Sequence, residues 1–241
     1  MLDALYAYRQ TILSIAFIAL LIGGWFYPPL GYFMVFCMFA AMALGAVKGR
    51  KWCDWYCPRG SFYDSFLKRF SRSADVPTLF RHPLFRAGWL GLLMYMVISK
   101  LIPVWGDLYL MGKPFVLILT VTTGVGLSFG AVYQYRIWCM FCPMGTMANL
   151  LGRGKQQIAI DGDSCVDCET CAEVCRMQIK PYGYKEEGLV SHSDCLKCQQ
   201  CIESCPTGAL FDSPFLIKDD EFQKKVSPIR VARELNKKPP A

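Results

Sequence analysis

Eight cysteines near the carboxyl end of the chain repeat one spacing twice. Cys165 begins a run that reads C-x2-C-x2-C-x3-C, and Cys195 begins the same run 30 residues later. Three closely spaced thiolates can bind three corners of a cubane iron–sulfur cluster, while the fourth reaches a second cluster. The spacing therefore predicts two 4Fe–4S clusters. The predicted ligands are Cys165, Cys168, Cys171 and Cys205 for cluster one, and Cys195, Cys198, Cys201 and Cys175 for cluster two.

These runs resemble the bacterial-type ferredoxin with two 4Fe–4S clusters, across about residues 157–216. Short strand-like stretches at residues 157–161 and 188–191 precede the two runs, as the pseudo-twofold fold of that family requires. Cys175 is followed by Arg176, where the family has proline. Structural zinc is the alternative, but four-cysteine zinc sites usually pair two C-x2-C units across a longer gap. The resemblance implies an α+β ferredoxin domain.

A second set of cysteines lies in two shorter motifs, which we call the Cys-Pro motifs. The first reads WCDWYCPRG from Trp52, and the second reads WCMFCPMG from Trp138. If the two motifs meet, their four thiols could hold one further metal centre, and we expect an iron–sulfur cluster as its occupant. The thiols concerned are Cys53, Cys57, Cys139 and Cys142.

Three other roles for the Cys-Pro motifs stay open at this point. A pair of nearby cysteines can act as a redox dithiol when the pKa of one thiol is lowered. Thiolates also bind zinc or another metal ion, and the motifs could simply end helices with free thiols. The remaining cysteine, Cys37, lies in an apolar stretch, and we expect it to act as a small packing residue.

Long apolar stretches fill the first part of the chain. Residues 10–47 carry no charged side chain over about twice the roughly 20 residues that cross a bilayer, and Pro28 and Pro29 divide them. Further apolar runs cover residues 87–105 and 114–135. The pattern predicts four transmembrane helices in two hairpins, each followed by a Cys-Pro motif. We interpret this as a parallel duplication whose axis runs along the membrane normal.

Charges are divided unevenly along the chain. Basic residues exceed acidic ones over residues 1–155, and acidic residues exceed basic ones over residues 156–241. Most basic residues of the first part lie between the second and third apolar stretches or after the fourth. The positive-inside rule then predicts an inner-membrane protein with both termini in the cytoplasm. Because the charges are interrupted by long uncharged stretches, the composition argues against nucleic-acid binding.

Aromatic and apolar residues recur at helical spacing after the first Cys-Pro motif, with charged residues between them. They are Phe62, Tyr63, Phe66, Leu67 and Phe70. The spacing predicts an amphipathic helix that lies in the membrane interface. We interpret this helix as an anchor, and a quinone headgroup site along it is the alternative.

The whole arrangement resembles the NapH/NosR-type membrane polyferredoxins, over about residues 10–216. Members of that family combine four membrane spans, two Cys-Pro motifs and a two-cluster ferredoxin. The second motif here is C-x2-C-P, where the family usually has C-x3-C-P twice. The expected fold is an α-helical membrane protein with a C-terminal α+β ferredoxin domain. Its expected parts are a membrane domain at residues 1–155, a ferredoxin domain at 156–216 and a charged tail at 217–241.

The predicted function is a membrane-bound electron-transfer subunit of an oxidoreductase of the quinol dehydrogenase type. It would relay electrons between the ferredoxin domain and the quinone pool or a partner redox complex. The expected partners are other redox subunits, the lipid bilayer and quinol, and no catalytic residue is assigned. The alternatives are a redox-active assembly factor for a metalloenzyme, a quinol dehydrogenase that acts alone, and a scaffold whose clusters are only structural.

Overall fold

The structure, a computed structural model, describes residues 2–213, so the predicted charged tail at residues 217–241 lies outside the described residues. The chain divides into two compact units. Unit 1 comprises the residues up to Arg153 together with the short segments Arg176–Ile179 and Ser193–Cys198, and unit 2 comprises Gly154–Cys175, Lys180–His192 and the residues from Gln199 onward. The three-part division at residues 155 and 216 stays a prediction.

Unit 1 is helical, and four of its helices are long and apolar enough to span a membrane. Its helices are α1 (Leu2–Phe26), α2 (Tyr32–Lys48), α3 (Lys51–Trp55), α4 (Pro58–Ser65), α5 (Pro83–Leu101), α6 (Gly112–Val132), α7 (Trp138–Phe141) and α8 (Pro143–Leu151). The candidate spans are Tyr8–Phe26, Pro28–Lys48, Pro83–Val104 and Gly112–Val132. The four apolar stretches predicted from the sequence are therefore confirmed as helices of spanning length.

These long helices present apolar side chains on their outer faces. Phe26 is 83% exposed, Tyr95 on α5 is 71% exposed and Trp105 is 75% exposed. Only 6% of the most apolar stretch of the third candidate span is buried within the structure. Exposed apolar surface of this extent is typical of faces that contact lipid or another protein.

Glycines allow the helices of unit 1 to approach one another closely. A Cβ on Gly112, at the start of α6, would lie 1.9 Å from the carbonyl oxygen of Pro28. A Cβ on Gly45 of α2 would lie 2.8 Å from the Cα of Ala148 on α8. Small residues at such contacts let backbones pack directly on each other. The second contact matters for the site described below, because α8 follows the second Cys-Pro motif.

The aromatic residues after the first Cys-Pro motif do not form the predicted interfacial helix. α4 ends at Ser65, and a single 3-10 turn follows it. Phe62 and Tyr63 are buried in the core of unit 1, whereas Phe66 and Phe70 are exposed. Helical spacing identifies a common face but does not say whether lipid or protein covers it. Here the packed protein covers much of that face.

Unit 2 contains a small antiparallel sheet. Its strands are β1 (Ile158–Ile160), β2 (Leu189–Val190) and β3 (Leu210–Asp212), in the order β2-β1-β3. Ala159 pairs with Leu189 on one side and with Phe211 on the other. The first two strands confirm the strand-like stretches predicted before each cysteine run. β3 was not predicted, because three residues are too short to show an alternating pattern.

The two cysteine runs share one backbone conformation. Asp167 and Glu169 have φ values of 51° and 60°, and Lys197 and Gln199, 30 positions later, have 57° and 68°. In each run the second of these residues precedes a short helix, α9 (Thr170–Glu173) or α10 (Gln200–Glu203). Left-handed residues within such loops turn backbone N–H groups toward the concave side, where an anionic centre is stabilised. The sequence repeat is thus also a structural repeat.

Candidate functional site

Four of the eight ferredoxin cysteines line one cavity in unit 2. They are Cys165, Cys168, Cys171 and Cys205, the four ligands predicted for cluster one. The other residues lining the cavity are mostly apolar, and include Ile160, Val166, Pro206 and Leu210. Four thiols around an apolar cavity are the donor set that a 4Fe–4S cluster requires. The fold therefore brings the distant Cys205 to the three cysteines of the first run.

The thiol of Cys205 is prepared for the deprotonated form that binds iron. Burial alone would raise its pKa, but hydrogen bonds from the Thr207 side chain and from the N–H groups of residues 207, 209 and 210 outweigh burial and lower the pKa. The Sγ of Cys205 lies 3.6 Å from the Oγ1 of Thr207. Hydrogen bonds to the charged form of a group favour that form. The same bonds would tune the potential of a cluster held there.

The ligands predicted for cluster two are divided between the two units. Cys195 and Cys198 belong to unit 1, and Cys175 and Cys201 belong to unit 2. Each of these cysteines has interactions within the described residues. Cys195 and Cys198 therefore lie in the same compact unit as the four thiols of the Cys-Pro motifs. Their joint assignment to cluster two stays a prediction.

The Cys-Pro motifs place their thiols at equivalent positions on short helices. Cys53 lies within α3 and Cys139 within α7. Cys57 and Cys142 are the N-caps of α4 and α8, and a proline opens each of these helices. The Sγ of Cys57 accepts a hydrogen bond of 3.4 Å from the N–H of Gly60. The helix dipole places positive charge at such N-termini, which favours a thiolate over a thiol.

Two buried arginines join the motifs reciprocally. Arg50, three residues before Cys53, donates through Nη2 to the carbonyl oxygen of Cys139. Arg136, three residues before Cys139, donates through Nη1 to the carbonyl oxygen of Cys53 at 3.0 Å. Arg50 is 1% exposed and Arg136 is fully buried. The crossed hydrogen bonds hold the two motifs together, so the structure brings together the parts of the chain that carry these four cysteines.

Each motif also has a glycine that leaves room for the arginine of the other motif. A Cβ on Gly60 would lie 3.0 Å from Nη1 of Arg136 and 2.8 Å from the carbonyl oxygen of Cys53. A Cβ on Gly145 would lie 2.6 Å from Nη2 of Arg50. The glycine of the Cys-Pro-x-Gly sequence is therefore part of the arginine contact in both motifs.

A buried ionic network adjoins the first motif. Arg136 donates from Nε to Asp64 at 2.7 Å and also contacts that carboxylate through Nη2. Arg176 donates from Nη1 to Asp54 at 2.9 Å and to Asp64 at 2.8 Å. The Tyr6 hydroxyl accepts a third hydrogen bond from Arg176, at 2.7 Å. Two arginines thus balance two aspartates, which satisfies the requirement that buried charges be paired.

A second ionic group has an excess of positive charge. Asp194, fully buried, pairs with Arg86 at 2.8 Å and with Arg50 at 3.1 Å. Arg59 donates to Thr122 Oγ1 at 2.9 Å and lies over the Trp138 ring. Within residues 2–213, no carboxylate lies within ion-pair distance of Arg59. A cubane bound by four thiolates carries net negative charge, so this surplus fits an iron–sulfur occupant.

The protonation of these thiols argues against the dithiol alternative. Burial raises the pKa of Cys53 and that of Cys57 to about 12, and it also raises the pKa of Cys139. A reactive dithiol needs a lowered pKa, whereas a bound metal deprotonates its thiol ligands outright. All thirteen cysteines lie in the described part of the chain, and none forms a disulfide. Within that part, no three His, Cys, Asp or Glu side chains are placed to hold a single metal ion.

Sequence reasoning missed the buried charged residues of this site. Arg50 and Arg136 were counted only as basic residues near membrane spans, and Arg176 only as a departure from the ferredoxin pattern. The available signal was that both Cys-Pro motifs follow the sequence R-x-W-C, which places Arg50 and Arg136 at equivalent positions. Asp54 and Asp64 carried no comparable signal, because their partners are remote in sequence.

Two protein families match parts of this chain. The family described as 4Fe-4S binding domain matches residues 30–77 and matches again at residues 114–160. The family described as 4Fe-4S dicluster domain matches residues 164–210. The first family's two matches contain the two Cys-Pro motifs, and the match to the second contains all eight ferredoxin cysteines. The chain is therefore an iron–sulfur protein with 4Fe–4S ferredoxin-type domains.

The chain is also similar to curated proteins. A protein of Escherichia coli (strain K12) with the provisional name electron transport protein YccM is 24% identical over 70% of this chain. The chain spans about half of that relative, 52% of its length. An uncharacterized protein of Methanocaldococcus jannaschii is 27% identical over 73% of this chain and 69% of its own length. A ferredoxin of Thermococcus litoralis is 34% identical over 22% of this chain and 93% of its own length. No solved structure matches the chain.

Proposed function

We propose that this chain is a membrane-bound electron-transfer subunit that exchanges electrons with the quinone pool or with a partner redox complex. The observation that carries the proposal is the cavity lined by Cys165, Cys168, Cys171 and Cys205. A 4Fe–4S cluster supplies one-electron redox chemistry, and the protein supplies ligation, spacing and the surroundings that set the potential. The similarity to a protein named for electron transport supports the same function.

Cluster two is the ferredoxin centre that we assign next to the Cys-Pro motifs. Two of its predicted ligands, Cys195 and Cys198, lie in unit 1, which also holds both motifs. Asp194, directly before Cys195, forms its ion pair with Arg50 of the first motif. Cluster one, by contrast, has all four predicted ligands in unit 2. Of these ligands Cys168 is exposed, which suits electron exchange with a partner protein.

A third iron–sulfur centre at Cys53, Cys57, Cys139 and Cys142 is the second part of the proposal. Its support is the reciprocal arginine contact, the surplus of buried positive charge, and the two matches to a 4Fe–4S binding family. The equivalent positions of arginine, cysteine, proline and glycine in the two motifs also favour an origin by duplication of a helical hairpin. Such a centre would extend the ferredoxin clusters toward the membrane.

The test of this assignment is an iron count on anaerobically purified, full-length protein. We expect about twelve irons per chain, from three 4Fe–4S centres. Cys139→Ser should lower the count to about eight. Cys37→Ser is the matched control, because Cys37 lies on α2 outside every motif, and it should leave the count unchanged. About eight irons in the unmodified protein would exclude the third centre, and colourless, iron-free protein would exclude the proposed function.

We further propose that the four long helices span the inner membrane with both termini in the cytoplasm. Arg50, Arg86 and Arg136 take part in buried ion pairs, but Lys68 and Arg72 are exposed between α4 and α5, and they support the positive-inside assignment. A reporter active only in the cytoplasm, fused to the C-terminus, should be active. A reporter that is active only in the periplasm should be inactive there, and the opposite result would reverse the topology.

A further inference from the structure

The hydroxyl of Tyr63 is buried without a hydrogen-bond partner. Tyr63 lies on α4, six residues after Cys57, and its side chain is completely buried. Within the described residues, its Oη has no partner. Buried hydroxyls are almost always hydrogen-bonded, because an unsatisfied one costs about 1–3 kcal/mol. This hydroxyl therefore needs an acceptor that the protein atoms do not provide.

Close packing fixes the position of that hydroxyl. A Cβ on Gly126 of α6 would lie only 2.1 Å from the Tyr63 Oη, so the absence of a side chain at Gly126 creates its place. The same Cβ would lie 3.4 Å from the Cβ of Trp138, the residue before Cys139. The Tyr63 hydroxyl and the second Cys-Pro motif thus meet at one point on α6. Tyr63 also interacts electrostatically with the Cys57, Cys139 and Cys142 thiols.

A second unpartnered donor faces the same four thiols. Arg50 uses Nη1 for Asp194 and Nη2 for the carbonyl oxygen of Cys139. Its Nε is buried and has no partner among the described residues. The guanidinium also interacts electrostatically with Cys53, Cys139 and Cys142. The Oγ of Ser61 and the Nε1 of Trp138, one on each motif's helices, are buried without partners as well.

The common property of these atoms is that they can donate a hydrogen bond. Burial raises the pKa of Tyr63, so that its hydroxyl keeps its proton, and a guanidinium has donors only. The sulfur atoms of an iron–sulfur centre are acceptors, and hydrogen bonds to them contribute to its reduction potential. They raise it, because the reduced cluster is the more negative state and gains more from each donor.

We propose that the Tyr63 hydroxyl, with the Nε–H of Arg50, donates hydrogen bonds to sulfur atoms of the centre held by the Cys-Pro motifs and raises its reduction potential. This inference rests on the proposed third iron–sulfur centre. It makes Tyr63 a residue that sets the potential of that centre and has no role in ligation. A higher potential would make the centre an easier acceptor for electrons than it would be with cysteine ligands alone.

The test is a redox titration of the full-length protein, followed by electron paramagnetic resonance. The signal of the third centre is identified as the one that Cys139→Ser abolishes. Tyr63→Phe removes a single oxygen atom and keeps the ring, so the centre should remain and its midpoint potential should shift to more negative values. The midpoints of the ferredoxin clusters should not move. Tyr133→Phe is the matched control, since Tyr133 is half-buried and packs on Phe80 and Phe129.

The outcomes separate this inference from the proposed function. A third signal whose midpoint is the same in the Tyr63→Phe and unmodified proteins would overturn the role of Tyr63 and leave the third centre in place. Absence of any signal that Cys139→Ser removes would overturn both. A shift in Tyr63→Phe that also occurs in Tyr133→Phe would show a general effect of tyrosine removal and would likewise contradict the inference.

Discussion

Replacing Arg136 with methionine is expected to destabilise unit 1 by about 3–5 kcal/mol, the cost of removing one partner from a buried ion pair. The guanidinium is fully buried, and Asp64 and Asp54 are its partners. Burial alone would lower the pKa of Arg136, but Asp64, Cys139 and Asp54 raise it well above its ordinary value. Without Arg136, only Arg176 remains to balance two buried carboxylates, and the carbonyl oxygen of Cys53 loses its donor.

The measurement is a denaturant titration of the detergent-solubilised protein, followed by tryptophan fluorescence. Lys185→Met is the matched control, because it also removes a cation from an ion pair with an aspartate, Asp167. That pair is exposed, with 39% and 46% of its two side chains accessible, and exposed pairs contribute little. The unfolding midpoint should fall for Arg136→Met and stay in place for Lys185→Met. Equal effects of the two changes would contradict the central role given to the buried network.

The features that the sequence predicted well are those encoded by local spacing. Cys165, Cys168 and Cys171 lie within one short loop, so their spacing alone indicates a cluster. The assignment of Cys205 to the same centre used the ferredoxin pattern, and the cavity in unit 2 does bring it to the other three. The long helices were equally accessible, because an uncharged stretch of spanning length has few other interpretations.

The features that were missed depend on contacts between remote residues. Arg50 and Arg136 are basic residues near apolar stretches, and composition alone places such residues at a membrane surface. In the structure each reaches across to the other motif, and their carboxylate partners lie up to 144 residues away. No local pattern encodes such pairs. The interpretation of Phe62 and Tyr63 failed for the same reason, since the surface that covers them comes from other helices.

Arg176 shows how a departure from a family pattern can be explained by structure. Ferredoxin runs usually continue with proline after the fourth cysteine, which has no donor to offer. Here the segment Arg176–Ile179 belongs to unit 1, and the guanidinium of Arg176 bonds to Asp54 and Asp64. Arginine at this position therefore links the residue after a predicted cluster-two ligand to the network beside the first Cys-Pro motif.

The glycines of the Cys-Pro motifs give the second large expected effect. Gly145→Ala would place a methyl group 2.6 Å from Nη2 of Arg50, and Gly60→Ala would place one 3.0 Å from Nη1 of Arg136. Each methyl group also meets a backbone carbonyl oxygen, so neither can be accommodated by moving a flexible chain end alone. The arginine must leave the carbonyl oxygen of the opposite motif, and the two motifs lose their reciprocal contact. We expect each variant to lose the third centre, so that the iron content falls from about twelve to about eight per chain.

A matched glycine on the same unit makes this expectation specific. Gly124 lies on α6, and a Cβ there would meet no atom within 4 Å, so Gly124→Ala should retain all of the iron. The ferredoxin clusters should stay in all three variants, because their ligands lie outside the Cys-Pro motifs. Iron analysis with cluster spectroscopy on anaerobically purified protein measures both quantities. If Gly145→Ala and Gly60→Ala kept their full iron content, a centre would form without the crossed arginines, and these residues could not be what assembles the site.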